Sequence, residues 1–238
     1  MAKTSLNIFA KSPILGTVKT RMCPPLSRTQ CLHLHQILVN HTLRLLQPLS
    51  SSEVEIVVCF TGTLNQALDY ADRLAVPKSF LIDIQLGKDL GERLQNTLTT
   101  RMKAGYSEVI FIGTDCPRLS LETVQNAIKS LGHQDVVIGP ANDGGYYLIG
   151  FSSYIPAILQ GIHWGTPEVY KETVNRLMLQ SVQWESIQLQ SDLDTFEDLK
   201  ELQQWPEGTC SFDEFTHQEF WKALDQIIRE VLSPPRGH

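Results

Sequence analysis

The 238-residue sequence lacks the marks of several protein classes. Its five cysteines, at 23, 31, 59, 116 and 210, are odd in number and contain no C-x-x-C pair. That pattern argues against a disulfide framework or a zinc site and fits a reducing cytoplasm. No stretch approaches the roughly 20 apolar residues that span a bilayer. Near the N-terminus, Lys3 precedes an apolar run soon broken by Lys11 and Pro13, too short for the apolar region of a signal peptide. A cytoplasmic protein without a membrane partner is expected. A basic excess is also missing: 20 Lys and Arg face 26 Asp and Glu, for a net charge of −6. This argues against a nucleic-acid partner. Internal repeats and low-complexity segments are absent. So are the Walker A and G-x-G-x-x-G phosphate loops.

What is present reads as one α/β domain. Hydrophobic residues make up 42% of the chain, enough for a sizeable core. Short apolar runs alternate with longer amphipathic stretches. Strands are expected at 6–10, 54–60, 80–84, 109–112 and 136–139, and helices at 27–46, 64–74, 91–102 and 121–131. Ser27 and Ser120 stand where helix N-caps belong. This alternation predicts a mostly parallel sheet with helices on both faces. Beyond Gly139 the rhythm changes. A strand is expected at 146–150, a helix at 166–179 with Pro167 in its first turn, an alternating strand at 183–189 and a short helix at 195–203. A last helix, at about 213–232, carries one apolar stripe of Phe220, Leu224, Ile227 and Val231. Packing on the same domain is the ordinary use of such a stripe; a homodimer contact is the sharper one. The expected division is a main domain, 1–205, and a C-terminal helical extension, 206–238.

Six segments carry chemistry. The first, Phe9 to Arg21, follows the first strand, where ligands of open α/β sheets bind. Gly16 allows a tight bend, and Lys11, Lys19 and Arg21 concentrate cations in an acidic protein. Phosphate binding and a solvated basic loop both suit that composition. The second, Ile110 to Pro117, places Asp115 at the mouth of a buried strand. A carboxylate there can bind Mg²⁺ together with substrate phosphates, or can simply be a turn residue. Cys116 reads as a small buried filler.

The third segment, Gly139 to Gly150, contains Asp143, Gly144, Gly145 and Tyr146. Asp-Gly-Gly is a hairpin signal, but it also permits close approach of a ligand, with tyrosines as a stacking face. The fourth, Ser191 to Leu199, offers Asp194 or Thr195 as a helix cap; two acids spaced by two could equally bring a second carboxylate to a metal. The fifth, Gln85 to Arg93, opens a helix whose N-terminus attracts anions, with Gly87, Gly91 and Arg93 along it. In the sixth, His163 to Pro167, Trp164 lines an acceptor pocket or only packs.

In this order, FAKSPILGTVKTRM, QLGKDLGERL, FIGTDCPRL, GPANDGGYYLIG, IHWGT and LDTFEDL resemble the GT-A-like nucleotide-diphospho-sugar transferase superfamily. Within it they are most similar to a family of small bacterial glycosyltransferases associated with selenium- and arsenosugar-type pathways. They are also similar to the molybdenum-cofactor and 2-phospholactate guanylyltransferases. The likeness spans about residues 5–203. It implies a Rossmann-like GT-A fold with Lys11, Pro13, Gly16, Lys19 and Arg21 at phosphates, joined by Gly87, Gly91 and Arg93. It implies Asp115 and Asp194 on Mg²⁺ or Mn²⁺, with Asp143, Gly144, Gly145, Tyr146 and Trp164 facing sugar or acceptor. Asp115, Asp143 and Lys19 are the expected catalytic set.

One departure stands out. Typical GT-A glycosyltransferases carry Asp-x-Asp at the strand end, whereas position 117 here is Pro. Three functions therefore stay open: glycosyl transfer from a nucleotide-sugar to a small acceptor, nucleotidyl transfer onto a phosphorylated small molecule, and nucleotide-sugar binding without catalysis.

Overall fold

β-branched runs make the centre of the molecule. β1 (Thr4–Ala10) and β2 (Val54–Phe60) pair in parallel and are buried along most of their length. They belong to a computed structural model that describes residues 3–203 and 214–232. β3 (Leu81–Ile84) pairs with β2, and β4 (Glu108–Gly113) lies on the other side of β1. β5 (Val136–Pro140), β6 (Tyr146–Phe151) and β7 (Trp184–Ser186) complete one sheet of order β3-β2-β1-β4-β6-β5-β7. Only β6 runs against the others, wedged antiparallel between β4 and β5.

Alternation across the sheet builds two cores. Ile110 and Ile112 face a layer formed with Val39, Leu43 and Leu46 of α1 (Arg28–Leu46), Ala67 of α2 (Leu64–Arg73) and Val124 of α4 (Leu121–Leu131). Val109 and Phe111 point the other way, onto Leu94 and Leu98 of α3 (Leu90–Lys103) and Leu177 of α5 (Val169–Leu179). The mostly parallel α/β architecture is therefore present, with helices on both faces. Ser27 and Thr63 close full capping boxes with Gln30 and Gln66, and the Ser120 side chain accepts from the Thr123 N–H.

A third cluster lies outside α1. Its Cys31, Leu34 and Leu38 meet Met22, Leu26 and Leu193, together with Leu199 and Leu202 of α6 (Phe196–Gln203) and Leu224, Ile227 and Ile228 of α7 (Glu214–Leu232). The α7 stripe is thus covered by its own chain at Leu224, Ile227 and Val231; Asp213 and the side chain of Phe220 lie outside the described residues. Among the described residues no helix is long and apolar enough to cross a membrane.

Two elements differ from the sequence expectation. α5 starts at Val169, leaving Thr166 and Pro167 outside it; the Tyr170 N–H, which a helix begun at Thr166 would turn to the Thr166 carbonyl, donates to the Gly144 carbonyl. The alternating run at 183–189 yields only the short β7. Its ladder stops where β5 reaches Pro140, which has no N–H to donate.

Candidate functional site

From β1 the chain moves outward to β2 and β3, then returns to add β4 on the other side. The carboxyl ends of β1 and β4 thus form the switch point where open sheets bind ligands. The loop after β1 is fixed there from below. The Ser12 N–H donates to Thr61 Oγ1 (3.1 Å), and the Ser12 hydroxyl donates to the Thr61 carbonyl. His35 of α1 donates through Nε2 to the Lys11 carbonyl (2.9 Å). Burial lowers the pKa of His35, so the ring acts as a neutral strut. Pro13 and Gly16 shape the loop, whose turn closes from the Thr17 N–H to the Ile14 carbonyl (3.1 Å).

Val18 and Met22 are buried, and Lys19 goes inward with them while Thr20 and Arg21 stay exposed. Lys19 adopts a left-handed backbone, φ 48°, at the start of a single 3-10 turn. Its side chain is only 3% exposed. The ammonium donates to the Leu193 carbonyl (2.7 Å) and to Asp194 Oδ1 (3.2 Å), and forms an ion pair with Asp115 Oδ1. Burial pushes the Lys19 pKa down, but Asp115 and Asp194 more than offset it and the net direction is up. Asp115 is the counterpart. Its enclosure raises the carboxyl pKa, while Lys19 lowers it further, for a net depression. Arg21 stands at the rim, 67% exposed, with Nη1 3.6 Å from Asp194 Oδ2. Such a loose exposed pair holds little energy and leaves the guanidinium available.

The second carboxylate is freed by a local division of labour. Thr195 caps α6, its Oγ1 accepting from the Asp198 N–H (3.3 Å), while Asp198 Oδ2 accepts from the N–H groups of Asp194 and Thr195 (2.9 and 2.7 Å). Asp194 is not spent on capping and turns to Lys19. Leu193 anchors this loop through its buried side chain, and its N–H donates to the Asp115 carbonyl (2.8 Å).

A cavity of about 380 Å³ opens beside Asp194, lined by Arg21, Arg118, Asn142, Asp143, Asp192, Asp198 and Glu201 among others. Its volume falls in the range of small-molecule sites, about 300–1,000 Å³. A smaller opening, about 70 Å³, joins Lys11, Lys19, Arg21, His35, Asp115 and Asp194. Asp192 was not among the expected site residues, although it sits two positions before Asp194. Burial, then repulsion from Asp143, Asp115 and Asp194, pushes its carboxyl up to about 7.

Asp143, Gly144 and Gly145 form the β5–β6 hairpin tip. Asp143 Oδ1 accepts from the Gly145 N–H (2.8 Å), so the hairpin reading of Asp-Gly-Gly is realised while Asp143 also lines the cavity. Gly144, at φ 86°, approaches Pro167 so closely that a Cβ would lie 2.0 Å from its carbonyl oxygen. The Tyr170 N–H donates to the Gly144 carbonyl (2.8 Å), and Asn142 Nδ2 donates to Ser191 Oγ (2.7 Å). The tip is therefore clamped on two sides.

The remaining expected residues gather elsewhere. Trp164 packs directly on Gly91, where a Cβ would meet the indole Nε1 at 2.3 Å, and Tyr146 stands edge-on to the same ring at 6.1 Å. The Tyr146 hydroxyl is buried and reaches toward Thr173 without a well-formed hydrogen bond. Arg93 Nε donates to the Gly87 carbonyl (3.2 Å). Gly91, Tyr146 and Trp164 thus pack on one another and Arg93 ties to Gly87, whereas Lys19 is held by Leu193, Asp194 and Asp115; packing accounts for Gly91 and Trp164. The Cys116 thiol is buried and its pKa pushed up, as suits a filler.

Among the described residues no group of three or more His, Cys, Asp or Glu is arranged to hold a metal ion. What exists is a pair of carboxylates and one carbonyl around Lys19. Hard oxygen donors of this kind suit Mg²⁺ or Mn²⁺ when substrate phosphates and water complete the shell.

The model of a family described as uncharacterized protein conserved in bacteria, DUF2064, matches residues 44–166. The structure also matches the crystal structure of a Desulfovibrio desulfuricans G20 protein described as a candidate nucleotide-diphospho-sugar transferase. The TM-score is 0.85 at 30% identity, over 97% of this chain and 99% of that one. Rv0371c of Mycobacterium tuberculosis H37Rv, in complex with manganese, matches with TM-score 0.51 and 14% identity, over 85% of this chain and 98% of that one. A 4-diphosphocytidyl-2C-methyl-D-erythritol synthase from Anaerococcus prevotii matches with TM-score 0.52 and 12% identity, over 83% and 92% of the two chains. These last two show the shared fold alone. Among curated proteins none matches.

Proposed function

This chain belongs to the DUF2064 family, and from that premise we propose that it moves a sugar from a nucleotide-sugar donor to a small acceptor. It is a transferase of the nucleotide-diphospho-sugar transferase superfamily. The observation that carries the reading is the meeting of Lys19, Asp115 and Asp194 at the switch point beside a cavity lined by more acidic than basic side chains.

In this reading Lys11, Lys19 and Arg21 receive the donor diphosphate, with Pro13 and Gly16 holding their loop in place. Gly87, Gly91 and Arg93 belong to the neighbouring nucleotide wall. Asp115 and Asp194 are the residues that would hold Mg²⁺ or Mn²⁺. When bound, that ion would stabilise the charge developing on the departing diphosphate. Asp143, Gly144 and Gly145 border the acceptor. Tyr146 and Trp164 act by shaping that wall. Asp143 is placed at the cavity to take the proton of the acceptor hydroxyl. As that oxygen bonds to the sugar, the bond from sugar to diphosphate breaks and nucleoside diphosphate leaves.

Asp143, Asp192, Asp194, Asp198 and Glu201 outnumber Arg21 and Arg118 around the cavity. That balance disfavours a phosphorylated acceptor, which nucleotidyl transfer would need. The competing reading draws on the cations at 11, 19 and 21, which suit a triphosphate, and on the Asp115-Cys116-Pro117 strand end. Product analysis separates the two. With Mg²⁺ or Mn²⁺, panels of nucleotide-sugars and nucleoside triphosphates, and small acceptors, glycosyl transfer releases nucleoside diphosphate. Pyrophosphate release would instead establish nucleotidyl transfer, and binding with neither product would make the protein a binder. Asp115→Asn is expected to lower turnover by at least about 100-fold in a folded protein, the scale of losing one transition-state electrostatic group. Unchanged turnover in that variant would remove the metal assignment.

A further inference from the structure

We propose that the Lys19 ammonium is a built-in placeholder for the divalent cation, occupying the position between Asp115 and Asp194 until nucleotide phosphates draw it away. The inference rests on the metal reading above and concerns the order in which cation and nucleotide enter.

An ammonium has three N–H donors and no acceptor. Lys19 faces three oxygens: the Leu193 carbonyl at 2.7 Å, Asp194 Oδ1 at 3.2 Å and Asp115 Oδ1. Two of its donors make hydrogen bonds, to Leu193 and Asp194, and the ion pair with Asp115 Oδ1 holds the ammonium between the two carboxylates. The same oxygens are those a metal would use. A divalent ion and Lys19 therefore cannot both sit between these carboxylates. The side chain is 3% exposed, so it is not a loose surface lysine that happens to point there. Asp115 and Asp194 keep 38% and 35% of their side chains open, which leaves a path for an ion from the solvent side.

Charge arithmetic gives the order of events. Two carboxylates and one ammonium sum to −1. Adding a divalent ion while Lys19 stays makes the cluster +1, with two cations crowded at one place. Moving Lys19 away without a new partner leaves its charge uncompensated in a largely buried setting, which is costly. A diphosphate removes both difficulties, because it accepts the displaced ammonium and shares the metal. Metal and nucleotide should then bind as a unit, each raising the affinity of the other by the same factor.

The test uses Mn²⁺ alone, followed by the loss of its free paramagnetic resonance signal, on the full chain. Wild type should bind weakly. Lys19→Met should bind Mn²⁺ at least about tenfold more tightly, a difference of about 1.4 kcal/mol. Lys19→Gln, which keeps hydrogen-bond donors without the charge, should do the same and serves if the methionine variant does not fold. Adding Asp115→Asn to either variant should abolish the gain. Folded Lys19 variants that bind Mn²⁺ no better than wild type would overturn the proposal. So would tight Asp115-dependent binding of Mn²⁺ by wild type alone, with Kd below about 10 μM. The metal reading fails by a different sign, unchanged turnover of Asp115→Asn in the donor assay.

Discussion

At the scale of single residues, the site is a contest among carboxylates for a limited supply of positive charge. Asp115 and Asp194 hold Lys19, and Asp192 is left with Asp143 for a neighbour and little solvent. Its pKa of about 7 lies above the ~3.9 of an unfolded aspartate. Between those values the native protein binds more protons than the unfolded chain, so stability falls as pH rises through that window. Above pH 7 the whole penalty is in force. Asp192→Asn removes the titrating group. We expect it to stabilise the metal-free protein by about 2 kcal/mol at pH 8, after discounting for solvent near a partly open carboxyl, and to change little at pH 4. Denaturant melts across that range would show it. A wild-type-to-variant difference that stays constant with pH would rule out this account of Asp192.

At the scale of elements, the junction of α3 with the loop before α5 depends on one missing side chain. Gly91 lets the Trp164 indole lie on the first turn of α3. Gly91→Ala is expected to destabilise the protein by about 2 kcal/mol through overpacking. The penalty should shrink in a Trp164→Ala background, because the two changes share one contact. Additive penalties in equilibrium melts would refute that coupling. The same junction shows what the sequence could reveal. β2 and α4 were legible to the residue, since a dense run of β-formers and a Ser-capped apolar period are local signals. Lys19, Asp115 and Asp194 were legible as members of strand-end motifs. The capping of α6 was ambiguous between Asp194 and Thr195, and only the tertiary pull of Lys19 resolves it. His35 had no local mark, and Asp192 was marked only as the partner of Asp194 in a pair of acids spaced by two. One is a polar residue inside an amphipathic helix, and the other owes its character to charges brought together from distant parts of the chain. The match of Gly91 to Trp164 is likewise a property of packing, invisible in either motif alone.

At the scale of the whole molecule, α7 is more than a tail. Its Leu224, Ile227 and Ile228 close the cluster that contains Leu193, whose carbonyl holds Lys19 and whose N–H holds the backbone of Asp115. Stability and site geometry therefore share one apolar contact network. Ile227→Ala should destabilise the chain by about 2–4 kcal/mol. Removal of residues 206–238 should lower the melting temperature sharply or yield insoluble protein, because Leu34, Leu38, Leu199 and Leu202 lose their cover. A truncated chain that melts like the full one would make the segment a mere appendage.

The reversed direction of β6 has a practical consequence. Because that strand returns at once, the connection after β5 stays at the ligand edge as a short turn and does not cross to the far side of the sheet. The wall proposed to meet the acceptor is thereby editable apart from the β1 loop proposed to grip the donor. A combinatorial library at Asn142 and Asp143, with Gly144 retained for its approach to Pro167, is where acceptor choice should be easiest to rewrite.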